Sequence, residues 1–268
     1  FSNSFLRADN RISYTGVATD TILLNTEKPE QFSTNAKADY DHPLGENILL
    51  STGMKARIQS MRNGTAGSFR FSEQDFALYG TVQYKKQQYT MEFGLRAEFS
   101  ENELKSQFRK TALSFLPFAS FQHTLNERQN LVFSFRRSVN RPSVFHLNSY
   151  LYTDNPYAIR RGNPLLEPEF RQRLYAEHSL RVHSSFISYR LFYENVTQAI
   201  QSLTRLNESR VFESQLHNSG SIHNYGIQFL GSLKFGPFSV NPSVRLYNQS
   251  IRGNSQARCR GTHWIADC

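Results

Sequence analysis

The sequence predicts an all-β chain: an antiparallel transmembrane β-barrel, present in part, with about eleven strands of a larger barrel. Three observations predict it. Residues 88–100 alternate strictly, with Tyr89, Met91, Phe93, Leu95, Ala97 and Phe99 apolar and Gln88, Thr90, Glu92, Gly94, Arg96, Glu98 and Ser100 between them. A period of two gives a β-strand with one apolar and one polar face; this one exceeds the ~5–6 residues of a soluble strand and suits the ~9–11 that cross a bilayer at a tilt. The same alternation recurs along the chain, and its connections are alternately short and long. Outer-membrane barrels obey that rule, whereas a soluble sandwich has no reason to.

Composition agrees. The mean hydropathy is −0.54, and no run of ~18 apolar residues marks a transmembrane helix. A barrel strand hides only one face in lipid, so its mean hydropathy stays low. Phe and Tyr, 22 and 13 against a single Trp, suit strands and interfacial girdles. The net charge of +9 is scattered through alternating segments rather than gathered in a basic run. No nucleic-acid partner is therefore expected. Arginines facing a polar lumen or an anionic lipid surface account for the excess.

The elements follow in order. Residues 32–40 set Phe32, Thr34, Ala36, Ala38 and Tyr40 against Ser33, Asn35, Lys37 and Asp39, and residues 48–58 set Ile48, Leu50, Met54, Ala56 and Ile58 against Ser51, Lys55 and Arg57. Residues 76–84 carry Phe76, Leu78, Val82 and Tyr84, and 88–100 come next. Segment 113–123 is less regular, and Pro117 suits a central strand poorly. Residues 131–139 (Leu131, Phe133, Phe135, Val139), 170–180 (Phe170, Leu174, Ala176, Leu180), 187–193 (Ile187, Tyr189, Leu191, Tyr193), 225–235 (Tyr225, Ile227, Phe229, Leu233, Phe235) and 238–246 (Phe238, Val240, Val244, Leu246) complete the set. Short turns are expected at Asp41–Asn47, Lys85–Gln88, Leu125–Gln129, Arg181–Ser184 and Phe235–Pro237, and longer connections at 60–74, 101–112, 140–167 and 205–210. This places 140–167 outside the cell and Arg181–Ser184 in the periplasm. The barrel segment is read as 1–250. Residues 251–268 read as an irregular tail of uncertain origin, since the alternation is lost there. Cys259 and Cys268 could close a small disulfide loop, with His263 between them. Three scattered ligands without a Cys-x-x-Cys pair do not make a metal centre, so no metal and no cofactor is expected.

Segment 132–180 carries a resemblance. Ser134-Phe135-Arg136-Arg137-Ser138-Val139-Asn140-Arg141-Pro142-Ser143 leads through Tyr152-Thr153-Asp154-Asn155-Pro156-Tyr157 to Arg161-Gly162-Asn163-Pro164-Leu165-Leu166-Glu167-Pro168-Glu169. This resembles the barrel of TonB-dependent outer-membrane receptors, in which an Arg-Pro strand end opens an external loop that closes on Gly-Asn-Pro and Pro-Glu. Gly94-Leu95-Arg96-Ala97-Glu98-Phe99 resembles a further strand of that family. The resemblance is specific over about 90–180 and fails over the cysteine-bearing tail. It implies a place in the Gram-negative outer membrane and, for the parent protein, energy-dependent uptake of a large scarce nutrient: a metal chelate, a cobalamin or an oligosaccharide. The implied partners are the lipid bilayer, the nutrient, a TonB-type energy-coupling protein reached through a plug domain, and a surface lipoprotein. Neither a plug nor a TonB-contacting box is legible here. The chain starts at Phe1 without a signal-peptide pattern and ends at Cys268 rather than on an aromatic residue, so a barrel fragment is expected.

The motif also reads physically. Pro142, Pro156, Pro164 and Pro168 remove ladder donors, Gly162-Asn163 tolerates positive φ, and Glu169 is placed to accept backbone N–H bonds where the next strand begins. Arg141, Pro142, Gly162, Asn163, Pro164, Pro168 and Glu169 are therefore expected to shape the loop. Tyr150, Tyr152, Asp154, Tyr157, Arg160 and Arg161 are the candidate ligand contacts, because rings stack on sugars or chelates and guanidinium groups pair with anions. The alternative is that the tyrosines pack the loop and the arginines are solvated. No catalytic residue is expected: there is no Gly-x-Ser-x-Gly elbow, Walker A loop or His-Glu-x-x-His site, and His146, His178, His217 and His223 have no recognisable spacing. Three readings compete with the receptor: a non-transporting barrel, structural or adhesive; a soluble all-β carbohydrate-binding module; and, last, an outer-membrane hydrolase.

Overall fold

Backbone N–H and C=O groups in hydrocarbon must find partners within the protein, and strands hydrogen-bonded side by side provide them. The computed structural model describes the chain except residues 1, 8–9, 15–22, 28, 64–68, 106–107, 148–150, 156, 209, 254–257 and 268. It holds β1 (Ser2–Arg7), β2 (Asn10–Tyr14), β3 (Leu23–Glu27), β4 (Pro29–Pro43), β5 (Ile48–Asn63), β6 (Phe69–Lys86), β7 (Tyr89–Leu104), β8 (Phe108–Asn126) and β9 (Gln129–Asn140). Then come the one-turn helix α1 (Val144–Leu147), β10 (Leu151–Asn155), β11 (Ala158–Arg161), β12 (Glu169–Val182), β13 (Ser185–Thr197), β14 (Ile200–Leu206) and β15 (Phe212–Asn218). Last are β16 (Ser221–Phe235), β17 (Phe238–Val240), β18 (Ser243–Arg252) and β19 (Arg258–Asp267). One antiparallel sheet runs β1-β4-β5-β6-β7-β8-β9-β12-β13-β16-β18-β19, with β17 paired to β16. It is an open wall with β1 and β19 at its edges, a partial barrel as expected.

The two faces differ as the alternation requires. On one face Leu78, Phe93, Leu95, Phe99, Leu113 and Leu191 are all exposed, Leu78 at 64 % and Phe93 at 60 %. In water so large an apolar surface would drive association; against lipid it is the stable arrangement. The band is bounded by rings. Near the tight turns Tyr89 stacks on His123 at 4.4 Å, and towards the other end the Tyr193 hydroxyl lies 2.9 Å from His223 Nδ1. The opposite face carries ion pairs: Arg57 with Glu73 and Asp75, Arg173 with Glu194, and Arg190 with Glu177. A dry sandwich core between two sheets is thereby ruled out.

The tight connections share one end of the wall: 44–47, 87–88, 127–128 and 183–184. Gln87 and His183 take positive φ there, 49° and 54°. At the other end β5, β6, β7 and β8 have their termini Asn63, Phe69, Leu104 and Phe108, and there the chain leaves β9 and β13 for the long connections to β12 and β16. Several expectations are corrected by this. The long connections expected at 60–74 and 101–112 are mostly strand, because β5, β6, β7 and β8 stay paired after their lipid-facing alternation has turned polar. Glu101 and Arg109, beyond Phe99 on the same face, form an ion pair at 3.0 Å. Residues 205–210 are the tip of a hairpin, β14–β15, rather than a whole connection. The expected strand 238–246 is two strands, interrupted at Asn241–Pro242, where Pro242 lacks a ladder donor and Gly231 N instead donates to Pro242 O at 2.9 Å. The tail is not irregular over Arg258–Asp267: those residues pair with β18 from Arg252↔Arg258 to Ser243↔Asp267. Here the preceding strand's open edge sets the conformation, and Gly261 had hidden the alternation. Cys268 lies outside the described residues.

Candidate functional site: the loop end of the wall

The strand ends at the loop side are held by charge. Where β9 stops, Arg141 turns its guanidinium to Glu98 Oε2 at 2.7 Å, and its Nε lies 4.0 Å from Asp75 Oδ1. Arg96 also binds Glu98, and Arg57 bridges Glu73 and Asp75 at 2.9 and 3.0 Å. Three guanidinium groups thus face three carboxylates across β5, β6 and β7, with Arg141 tying the loop to them.

The loop is then anchored by a small core. Ser143 O accepts N–H bonds from His146 and Leu147, so α1 is a single turn. Leu147 and Leu166, each 1 % exposed, pack with Met61, Phe71 and Leu104 from the ends of β5, β6 and β7. Asn163 N donates to His146 O at 2.6 Å, closing the loop on its own first turn. The Asn163 amide then does two things: Oδ1 accepts Leu165 N at 2.9 Å, and Nδ2 donates to Leu216 O at 2.8 Å.

That last bond joins two segments about fifty residues apart in sequence. Others follow: Gln215 Nε2 donates to Gly162 O, and Asn218 accepts Glu167 N while donating to Glu167 O and Gln198 O. Glu169, buried at 7 % exposure, accepts Asn140 Nδ2 at 2.9 Å and the backbone N–H of Ile200 at 3.1 Å. The N–H it takes belongs to the neighbouring hairpin, not to its own strand. The result is a second sheet, β10-β11-β15-β14, in which β11 and β15 run parallel. Between the two loops lies a cleft of about 540 Å³ lined by Arg161, Asn163, Leu165, Glu167, Gln198, Gln215, His217 and Asn218.

The candidate contacts spread over this sheet. Tyr150 lies outside the described residues. Tyr152 and Asp154 sit on β10, where Tyr152 pairs in register with Arg160. Tyr157 precedes β11 and is 74 % exposed, and its carbonyl accepts Phe212 N at 2.9 Å. Arg160 and Arg161 are exposed. Arg161 Nε is 3.5 Å from Glu213 Oε1, and Arg205 reaches the other oxygen of that carboxylate at 3.2 Å. Of Tyr157, Arg160 and Arg161, whose side chains are described, Arg161 lines the cleft. Pro142 is buried at the head of the loop, and Pro164 also lines the cleft. The sequence reading did not single out Glu213, Gln215 or Asn218, and it set His217 aside as a residue without recognisable spacing. A faint alternation over 212–218 was their only signal. Among the described residues no cluster of His, Cys, Asp and Glu could hold a metal ion.

The wall matches a known family. A model of the outer membrane protein beta-barrel family covers residues 2–266. The chain belongs to that family. It is therefore an outer-membrane β-barrel chain of the Gram-negative kind, and the family match includes the cysteine-bearing strand β19. Among solved structures, the copper transporter OprC superposes with a TM-score of 0.75 at 12 % identity, over 94 % of this chain and 43 % of its own. The siderophore receptor PirA from Pseudomonas aeruginosa gives 0.67 at 14 % identity, over 99 % and 52 %. The FrpB iron transporter from Neisseria meningitidis (F3-3 variant) gives 0.62 at 13 % identity, over 91 % and 36 %. At these identities the likeness is one of fold, and the chain spans between about a third and a half of those proteins' lengths. None of these neighbours is described as an enzyme, in line with the sequence reading. No protein of curated function matches in sequence.

Proposed function

We propose that this chain is barrel wall of a TonB-dependent receptor that takes up a large scarce nutrient: a metal chelate, a cobalamin or an oligosaccharide. The observation that carries the reading is the joining of the two long connections, 141–168 and 198–220, into one sheet with a cleft between them, above a charged lumenal face. A structural barrel needs no such roof. The loop end faces outward and the tight turns face the periplasm, as short periplasmic turns require. Tyr150, Tyr152, Asp154, Tyr157, Arg160 and Arg161 make the first contacts with the nutrient, the rings by stacking and the guanidinium groups by charge-assisted hydrogen bonds. Arg141, Pro142, Gly162, Asn163, Pro164, Pro168 and Glu169 hold the loop in shape. A plug domain and a TonB-type protein supply gating and energy, and a surface lipoprotein serves as a lid.

The test is uptake by cells carrying the intact protein, with ferric enterobactin, cyanocobalamin and a malto-oligosaccharide as probes. One probe is expected to be accumulated, with uptake lost when the energy-coupling protein is deleted. Tyr157→Ala and Arg161→Ala should weaken its binding while leaving barrel stability unchanged. Passive entry that ignores the energy coupler would refute active transport.

A further inference from the structure

The wall has an opening in it. β8 pairs with β7 along its length, from Tyr89↔His123 to Leu104↔Phe108. Its ladder with β9 stops at Phe118↔Arg136. Beyond that point β9 continues to Asn140 paired only with β12. The next residue of β8 is Pro117, which has no N–H to give. Leu113 lies opposite Phe99 and Pro117 opposite Leu95, so the unpaired edge sits at the level of the lipid-facing band. Open strand edges do not persist against hydrocarbon, because their backbone groups have no partner there. Above, the opening is closed by Lys110 Nζ donating to Leu166 O at 3.1 Å. It is a window with a sill at Phe118 and a lintel at Leu166.

A cavity of about 420 Å³ occupies this window and is lined from both faces of the wall. Leu95 and Val139 come from the lipid-facing side, and Arg96, Leu116 and Arg136 from the lumenal side. Four guanidinium groups line it, Arg96, Arg136, Arg137 and Arg141, against two carboxylates, Glu92 and Glu98. Glu98 is already taken by Arg96 and Arg141. Arg136 lies 4.7 Å over the Phe118 ring, and no carboxylate pairs with it among the described residues. Arg137 belongs to the lipid-facing register, stacks 4.5 Å over Phe170, and has a buried Nε without a hydrogen-bond partner. A cation on a lipid-facing position is costly unless an anion or the interface receives it.

We propose that the β8–β9 window is a lateral binding site for an anionic lipid of the surrounding leaflet. The acid group of the headgroup enters the open edge itself, where Arg136 from the lumenal side and Arg137 from the lipid-facing side both line the cavity and supply the unmatched positive charge. An acyl chain lies along the open edge of β8, against Leu113 and Phe115, which are 62 % and 52 % exposed, and covers the unpaired backbone. The site is separate from the nutrient cleft and does not depend on the transport reading.

A photoreactive benzophenone residue placed at Leu113 in the intact protein, in bilayers of mixed phosphatidylglycerol and phosphatidylcholine, tests this. Mass spectrometry of the adducts reads which lipid sits there. The same residue at Leu191, on the lipid-facing side of β13, reports the bulk composition. Several-fold enrichment of phosphatidylglycerol at position 113, and none at 191, is expected. Arg136→Gln with Arg137→Gln should bring position 113 to the bulk ratio. Arg136→Gln alone, which has no ion pair to lose, should remove most of the enrichment and covers the case of a double variant that does not fold. Bulk composition at position 113 in the unmodified sequence, or enrichment that survives the loss of Arg136, overturns the proposal.

Discussion

Leu166→Ala isolates what the small core does at the loop end. Leu166 is 1 % exposed and packs with Leu147 on Met61, Phe71 and Leu104. Truncation removes three carbons, worth about 2.4 kcal/mol at ~0.8 kcal/mol per buried methylene. A cluster this small, at the edge of solvent, can partly collapse, so the cavity adds little, and the total is about 3 kcal/mol. The loss is local: strand ladders on either side do not use Leu166, whereas loops 141–168 and 198–220 are both tied to its neighbours. At ~1.4 kcal/mol per tenfold, amide exchange at Asn163, Leu165 and Ile200 should quicken by roughly 10²-fold, while amides of β6 and β7 in the lipid band stay protected. Hydrogen exchange read by mass spectrometry in detergent checks this. Unchanged exchange at Asn163 and Ile200 would mean that the loops are held without the core, and the reasoning would be refuted.

Other outcomes test the wall. Nitroxide labels at positions 93 to 98 should alternate, with 93, 95 and 97 accessible to oxygen from lipid and 94, 96 and 98 to a water-soluble reagent; alternation in the opposite sense would reverse the faces. Gly226→Ala should block folding of the β16–β18 region, because its Cβ would collide with Leu246 O and fall 2.7 Å from Tyr247 Cα, backbone atoms that cannot step aside. The readout is loss of the heat-modifiable folded band on a gel, and normal folding yield would contradict the close approach.

Legibility differed from place to place for physical reasons. Residues 88–100 announced their faces because alternation is a property of the strand itself. Residues 60–74 and 101–112 misled because strands continue past the membrane, where nothing requires one face to be apolar. Pro117 is a poor ladder member by its chemistry, and the chain keeps it in a strand by pairing it on one side only. The motif around Gly162-Asn163-Pro164 reads as turn chemistry from its residue types alone. Its link to Leu216 was out of reach, since nothing in either segment names the other.

By itself, then, the sequence determined what is periodic and local: long antiparallel strands, one greasy face and one charged face, and tight turns at one end. Tertiary structure alone decided which distant segments meet. The parallel pairing of β11 with β15, the bond from Ile200 to Glu169 and the window between β8 and β9 each depend on how neighbouring strands end relative to one another. Alternation fixes the side of the wall a residue faces, but the height at which a ladder stops is set by both strands together.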